Sequence, residues 1–470
     1  DLRGIVEARI SPVPHALTFF RTPHGQPLPV FRNRRALCTL HAGPARALSV
    51  LRLHNLDCSS IMKSLDIDPF SSANLADPEP FQRALHEAGA VAWLTRYKIY
   101  ATGRFDIAQC ILNDPGSFIS GEGVGLADER ATQGLPDEQS ENISTSHRKR
   151  TPLVEEDGQT HLENRAALDV VLNASTIKAI TAESNRIALG LLEPLLEKGR
   201  FDAIGEWVIP VVLQAFPDAY GVVPEGRDNL LALGELALNS LGPRNANFMA
   251  SAARFPQIKR WLQHALPVDE MDGGKIGRRI HDEALRTGKS AADAQSLIQA
   301  VLISGIDTTV AGISNTLHCL AERPDQWRWV VQRPELAIRA FEEAMRIAPP
   351  VQMCYRLLAV DCALDGMRLN SGARIMIHLG AASRDPRHFP EPGRFDVRRS
   401  SRDTLSFGAG LHRCVGRALA RGQAEGMIRA LASRADEIGC EKPVTFLPNN
   451  TLRRPTELLM NVSQAREKRP

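Results

Sequence analysis

Phe407-Gly408-Ala409-Gly410-Leu411-His412-Arg413-Cys414-Val415-Gly416 is the stretch on which the reading of this chain turns. Gly408, Gly410 and Gly416 allow a tight loop that brings backbone N–H groups toward the sulfur of Cys414. The helix-like run Arg417 to Arg434 follows at once, so the thiolate form of Cys414 also gains from the positive end of a helix dipole. A lone cysteine is ordinarily one more small buried side chain. One framed by glycines at the head of a helix reads instead as a thiolate ligand.

Three patterns upstream belong with this loop. Glu343-Ala344-Met345-Arg346 lies in a helix that ends before Pro349-Pro350, and the i, i+3 spacing puts Glu343 and Arg346 on one side. Alone, such a pair is usually a solvated face of little energetic weight. Ser304-Gly305-Ile306-Asp307-Thr308-Thr309 sits inside a long apolar helix, where an acid, a hydroxyl and a glycine are poor choices. Either Thr308 bonds back to a carbonyl and Asp307 points to solvent, or the cluster marks a function. His161 and Arg165 stand at i, i+4 and, with Arg356 and His412, offer donors for an anionic ligand. Each of these alone is more often a satisfied core or surface residue.

Together, the loop and these three patterns resemble the cytochrome P-450 family of haem-thiolate monooxygenases, over Asp68 to about Val462. The resemblance implies a mainly α fold with a minor β subdomain and haem b (iron protoporphyrin IX) ligated by Cys414, with Phe407 and Gly408 in the haem-binding loop. An iron-bound thiolate pushes electron density to the metal and favours O–O cleavage. By the same resemblance His161, Arg165, Arg356 and His412 hold the haem propionates. Asp307 relays protons and Thr308 hydrogen-bonds dioxygen, while Gly305 leaves room for dioxygen and for the helix to bend. Glu343, Arg346 and Arg394, the last from Pro392-Gly393-Arg394-Phe395, lock the scaffold behind the cysteine loop.

Within the family the chain is most similar to bacterial oxygenases that hydroxylate or O-demethylate para-substituted benzoates. Gly123-Val124-Gly125-Leu126, Phe216-Pro217-Asp218 and Asn449-Asn450-Thr451-Leu452-Arg453 are among the runs that carry this likeness. The substrate-anchoring positions differ. Where that group has cations and a hydroxyl, this chain has Glu122 and Gln299-Ala300, and Leu238, Leu241 and Cys354 replace aromatic walls. Burying a carboxylate without a cationic partner is costly, so a neutral, mainly apolar aromatic is expected over Val351, Cys354, Leu238 and Leu241. Glu122 either reaches the pocket or faces solvent as a loop residue.

Around these motifs the chain has an ordinary globular composition, 43% apolar and 24% charged over 470 residues. A net charge of +3 gives no reason to expect nucleic acid. No uninterrupted apolar run approaches the ~18 residues of a membrane span, so the chain reads as soluble and cytoplasmic, with no membrane partner. The eight cysteines follow no repeating interval, which suggests neither a disulfide framework nor a zinc cluster.

Residues 1–61 are rich in Arg, Pro and His, lack lysine, and end just before the first methionine, Met62. They are expected to be an extension outside the fold, with the biological start at Met62, and residues 62–470 to form one monooxygenase domain. A transit peptide and a disordered arm are the competing readings. Asp128 to Gly158 reads as a long surface loop. Helical periodicity marks Ala167 to Leu192, Ser296 to Leu320 and Leu336 to Ile347.

The chain has no flavin or nicotinamide fingerprint and no cysteine set for an iron–sulfur cluster. A separate electron donor is therefore expected, and the resemblance to soluble bacterial members of the family implies electrons from NAD(P)H passed through a ferredoxin reductase and a 2Fe–2S ferredoxin, with Arg413, Arg417 and Arg421 as candidate contacts. The alternatives are a peroxide-driven peroxygenase, which the pair Asp307-Thr308 argues against, and a non-catalytic haem-binding sensor.

Overall fold

The computed structural model describes residues 62–126, 150–400 and 404–465, together with the backbone of two short N-terminal strands, Phe20–Arg21 paired antiparallel with Pro27–Leu28. Packing divides the chain into units of residues 1–49 and 50–470, and everything described from Met62 onward belongs to the second. The expectation for residues 1–61 thus falls almost wholly outside the described residues. So does most of the Asp128 to Gly158 stretch.

The second unit is helical with a small β component. Its axis is the helix Ala291–Ala321, 31 residues long and longer than the periodicity predicts at both ends. Its start is fixed by Ser290, whose hydroxyl accepts from the Asp293 N–H at 3.2 Å, a cap worth about 1 kcal/mol. Most of its side chains are buried, because helices Asn229–Asn239, Ile209–Tyr220, Ile276–Arg286 and Ala337–Ile347 pack around it. This apolar helix is, by length and composition, able to cross a membrane, yet its window is 67% buried in the protein and it serves as the core. The expected helix Ala167 to Leu192 is two helices, Gly158–Val171 and Ala174–Lys198. Asn173 separates them: its side-chain oxygen accepts from the Thr176 N–H at 3.1 Å and begins a new helix.

A six-stranded sheet runs in the order Lys63–Leu65, Ala92–Leu94, Ile99–Thr102, Arg374–His378, Met353–Leu358, Phe118–Ile119. Side chains alternate across a strand. In the antiparallel pair of Met353–Leu358 with Arg374–His378, Cys354 lies opposite Ile377 and Arg356 opposite Ile375. Cys354 and Arg356 therefore share one face, the one turned to the cavity described below. A three-stranded antiparallel sheet joins Ala435–Cys440, Leu459–Gln464 and Arg200–Asp202.

The loop Asn449 to Arg454 ties the end of helix Asn229–Asn239 to the core. Asn450 donates through its backbone N–H to Asn239 Oδ1 at 2.8 Å and through Nδ2 to the Asn239 and Pro243 carbonyls, both at 3.0 Å. Its Oδ1 accepts from Asn245 at 2.7 Å. A Cβ at Gly242 would come within 2.6 Å of Asn450, so only glycine allows this approach.

Candidate functional site

The helix and sheet faces enclose a cavity of about 1570 Å³. That exceeds the roughly 300–1000 Å³ of a pocket for one small ligand, and leaves room for a planar macrocycle together with a second molecule. Cys414 stands at its floor and the helix Ala291–Ala321 forms the opposite wall.

The cysteine loop is shaped as its glycines predict. Gly408 and Gly410 have φ of +68° and +63°, and a Cβ at Gly410 would lie 2.4 Å from the Leu112 carbonyl. The Cys414 N–H donates to the Phe407 carbonyl at 2.9 Å and closes the loop. Cys414 is enclosed by protein, and its open surface faces the cavity. Burial pushes its thiol above the usual range, opposed by the backbone N–H of Gly416, by Arg165 and by the N–H of Arg417. Those N–H groups open the helix Arg417–Ala432, which has no side-chain cap.

Beneath the loop lies an ion cluster built on a fully buried pair. Arg346 donates to both Glu343 oxygens at 2.8 Å, and both side chains are 0% exposed. The third member is not Arg394. That side chain is half exposed and pairs with Glu391 at 3.1 Å, contributing only its backbone carbonyl to Arg346. Arg399 takes the place, donating through Nε to Glu343 Oε1 at 3.0 Å. Phe395 and Val397 turn into the core, and this turns Asp396 and Arg399 back toward Glu343. Ser406 hydrogen-bonds the Met345 carbonyl, joining cluster to loop.

At the cavity's edge His161, Arg165, Arg356 and His412 converge, as the sequence predicts. His161 and His412 lie ring to ring at 4.2 Å. His161 Nε2 meets the Leu411 carbonyl at 3.2 Å, and His412 Nδ1 the Leu153 carbonyl at 3.2 Å. Their other nitrogens, His161 Nδ1 and His412 Nε2, are buried without a hydrogen-bond partner; Asp157 Oδ1 is 3.5 Å from the latter. Burial, with Arg356 and His161, takes the His412 imidazole down to about 4, against the pull of Asp157. Arg356 is nearly buried and donates to the Tyr355 carbonyl at 2.7 Å. Arg165 donates to the Arg413 carbonyl at 2.5 Å. Orphaned ring nitrogens beside two guanidinium groups suit an acidic ligand that supplies acceptors. The residues present thus fit a haem: Cys414 would hold its iron, and His161, Arg165, Arg356 and His412 would hold its propionates.

Along the opposite wall, Ser304 and Thr308 each donate to the carbonyl four residues back, Ala300 and Ser304, at 2.8 Å. Thr308 therefore does bond back in the helix. Asp307 does not point to solvent. It is 1% exposed, with Arg454 Nε 3.1 Å from Oδ1. The pair is poorly aligned, since neither carboxyl oxygen nor Arg454 Nε makes a hydrogen bond. Burial pushes the Asp307 carboxyl up to about 6, Arg454 draws it back, and Glu235 raises it further. Gly305 lines the cavity, and a Cβ there would lie 2.9 Å from Phe216, so its small size also serves packing against helix Ile209–Tyr220.

Leu238, Leu241, Ala300, Val351 and Cys354 all line the cavity. Gln299 does not: it lies one turn ahead of Ile303, the first residue on that ridge to reach the cavity. Glu122 is at the cavity's margin but its side chain is exposed and paired with Arg150 at 2.8 Å, which makes it the loop residue of the two readings. Sequence reasoning missed Arg399 and Arg454. It also missed Phe248, Met249 and Arg244 on the outer wall, where Arg244 stands 4.0 Å over the Phe248 ring.

Comparison with known proteins adds the following. Residues 331–431 match the family model described as Cytochrome P450. The chain is 34% identical over 390 residues to cytochrome P450 CYP199A2 of Rhodopseudomonas palustris, covering 83% of this chain and 92% of that one. It is 25% identical to a beta-dihydromenaquinone-9 omega-hydroxylase of Mycobacterium tuberculosis, covering 91% and 84%. Among solved structures it is similar to CYP109Q5 from Chondromyces apiculatus, with TM-score 0.70 and 23% identity over 87% of this chain and all of that one. The haem domain of Acinetobacter radioresistens CYP116B5 aligns with TM-score 0.75 and 18% identity, covering 85% and 97%.

Proposed function

Because the chain belongs to the cytochrome P450 family, and is thereby a haem-dependent monooxygenase that uses dioxygen, we propose that it oxidises a small, neutral, mainly apolar aromatic by hydroxylation or O-demethylation. The observation that carries this is the lining of the cavity. Leu238, Leu241, Val351 and Cys354 face it, Ala300 offers no hydroxyl where the similar enzymes have one, and Glu122 is turned outward to Arg150. Of the cations at the outer end, Arg244 lies over an aromatic ring and Lys259 is exposed.

In this reading Cys414 would hold the haem iron through its sulfur, and Phe407 and Gly408 form the loop that presents it. His161, Arg165, Arg356 and His412 hold the propionates, and Glu343, Arg346 and Arg399 keep the loop in place. The bound haem supplies the activation of dioxygen, which the side chains alone cannot. Asp307, its carboxyl pushed by burial up to about 6, can take up and give back a proton at the cavity wall as pH falls below neutral. Thr308 Oγ1, on the next residue, lines the cavity and can offer its hydroxyl to a ligand there when its bond to the Ser304 carbonyl is exchanged.

Electrons come from NAD(P)H through a ferredoxin reductase and a 2Fe–2S ferredoxin docking on the cysteine side, and the protein works in the cytoplasm. Arg413 and Arg417 remain candidate contacts; Arg421 is engaged by Glu342. The buried Asp307 beside Thr308 favours this over a peroxide-driven enzyme or a haem sensor.

Titration of matched aromatics, scored by displacement of the haem iron's water ligand, tests the substrate class. A neutral methyl or hydroxyl compound is expected to bind better than its carboxylate by about ten- to a hundredfold, the effect of one missing charge-assisted contact of roughly 1.5–3 kcal/mol. Tight binding by the acid and none by the neutral analogue would overturn the reading and point to Arg244.

A further inference from the structure

We propose that Arg454 is a positioning residue for Asp307: from the loop Asn449 to Arg454 its guanidinium holds the buried carboxyl behind the cavity wall and sets how readily that carboxyl takes and gives a proton. Three observations support it. Asp307 lines the cavity, whereas Arg454 does not reach it, so Arg454 acts only through Asp307. Both side chains are more than nine-tenths buried, and their polar atoms at the 3.1 Å contact have no other partner, so the pair cannot be a solvated surface bridge. Gly234 packs so closely that a Cβ there would lie 2.9 Å from Asp307 Cβ; the carboxyl is wedged between helix Asn229–Asn239 and the C-terminal loop with little freedom to turn.

Two charged groups face Asp307 from the packed elements. Arg454 comes from the loop and stabilises the carboxylate. Glu235, next to Gly234, opposes it. Glu235 itself is partly solvated, at 22% side-chain exposure, and lies 3.8 Å from the exposed Arg254. Asp307 is thus held between a dry cation and a half-wet acid. Burial penalises its charge, Arg454 offsets that penalty, and the net result is a carboxyl that can exchange a proton near neutral pH.

The consequence for catalysis rests on the monooxygenase reading, but the central measurement does not need turnover. In the haem-loaded protein, the carboxylic C=O infrared band that is present in the parent and lost in Asp307→Asn reports protonation of Asp307. Its midpoint should rise by roughly 1–3 pH units in Arg454→Gln and Arg454→Met, and fall in Glu235→Gln. The turnover rate should fall in the two Arg454 variants by more than the product formed per NAD(P)H consumed, with its pH dependence displaced in the same direction. An unmoved midpoint in variants with normal haem content and a normal reduced carbon monoxide spectrum overturns the proposal, since a merely structural arginine would leave it in place. A displaced midpoint without any product from parent or variant upholds the Arg454 assignment and counts against the monooxygenase reading alone. Should neither variant retain haem, Arg454→Lys is read instead. Its single, shorter cation must raise the midpoint by a smaller, measurable amount, and a midpoint and yield identical to the parent overturn the proposal.

Discussion

Replacing Arg399 and Arg394 in turn separates the ion cluster found in the structure from the one the sequence suggests. Arg399→Ala removes the 3.0 Å bond to Glu343 Oε1, and with it bonds to the carbonyls of Pro390 at 2.9 Å and Glu391 at 3.2 Å. The Arg399 side chain is 16% exposed and Glu343 is 0% exposed, so little solvent screening applies. A hydrogen bond to a charged group contributes about 1.5–3 kcal/mol. Glu343 keeps both bonds from Arg346, so the loss stays well below the ~3–5 kcal/mol of breaking a buried pair outright. The expected cost is therefore about 2–3 kcal/mol. Arg394→Ala removes a half-exposed pair with Glu391 and leaves untouched the backbone carbonyl that Arg346 uses, so it should cost at most about 1 kcal/mol. Denaturant titration of the haem-loaded variants, followed by helical circular dichroism and by the haem band, reads both numbers. Arg399→Ala should also lose haem sooner than it loses helix, because the cluster joins the cysteine loop through Ser406 and Met345. Equal costs, or a larger cost for Arg394→Ala, would refute the assignment.

Cys414→Ser should abolish the thiolate-type absorption of the reduced carbon monoxide complex while keeping most of the helical signal; a retained thiolate spectrum would remove Cys414 from the ligand position. Thr308→Ala should bind haem and substrate normally but divert reducing equivalents to peroxide, and Asp307→Asn should slow turnover more than it uncouples it. Parent-like NAD(P)H consumption and product in both variants would show that neither residue handles the proton. A chain beginning at Met62 should be soluble with normal haem content, and loss of haem on truncation would place residues 1–61 within the working fold.

What could be read from the sequence was local. Positive φ at Gly408 and Gly410, the loop's closure before a helix, and the i, i+3 pair of Glu343 and Arg346 are each written within a few consecutive residues. The meeting of His161 with His412 came from family likeness, since nothing in either neighbourhood announces the other. Contacts decided by a single turn of irregular chain escaped. Arg394 and Arg399 lie in one short segment, and only the inward turn of Phe395 and Val397 chooses between them. Arg454 follows another arginine in the sequence, and nothing there tells that the second meets Asp307 while Arg453 donates to the Leu75 and Ala76 carbonyls. The break at Asn173 was legible in principle. Apolar periodicity ran through it, and the capping side chain outweighed the pattern.

The tie made by Asn450 bears on how this enzyme could acquire new specificities. Leu238 and Leu241 flank Asn239, which Asn450 grips by side chain and backbone, and the same short loop ends in Arg454. Substitutions that reshape this wall are therefore mechanically linked to the proton-handling acid. Their effects should be epistatic with changes at Asn450, showing interaction energies of about 0.5–3 kcal/mol. The strand carrying Cys354 is tied to the same loop: just ahead of Met353–Leu358, the Gln352 N–H donates to the Thr451 carbonyl at 2.8 Å and the Arg453 N–H to the Pro350 carbonyl at 2.7 Å. An adaptive walk toward a bulkier substrate would therefore meet the C-terminal loop from either wall, and a compensating change in that loop would precede the widening of either side.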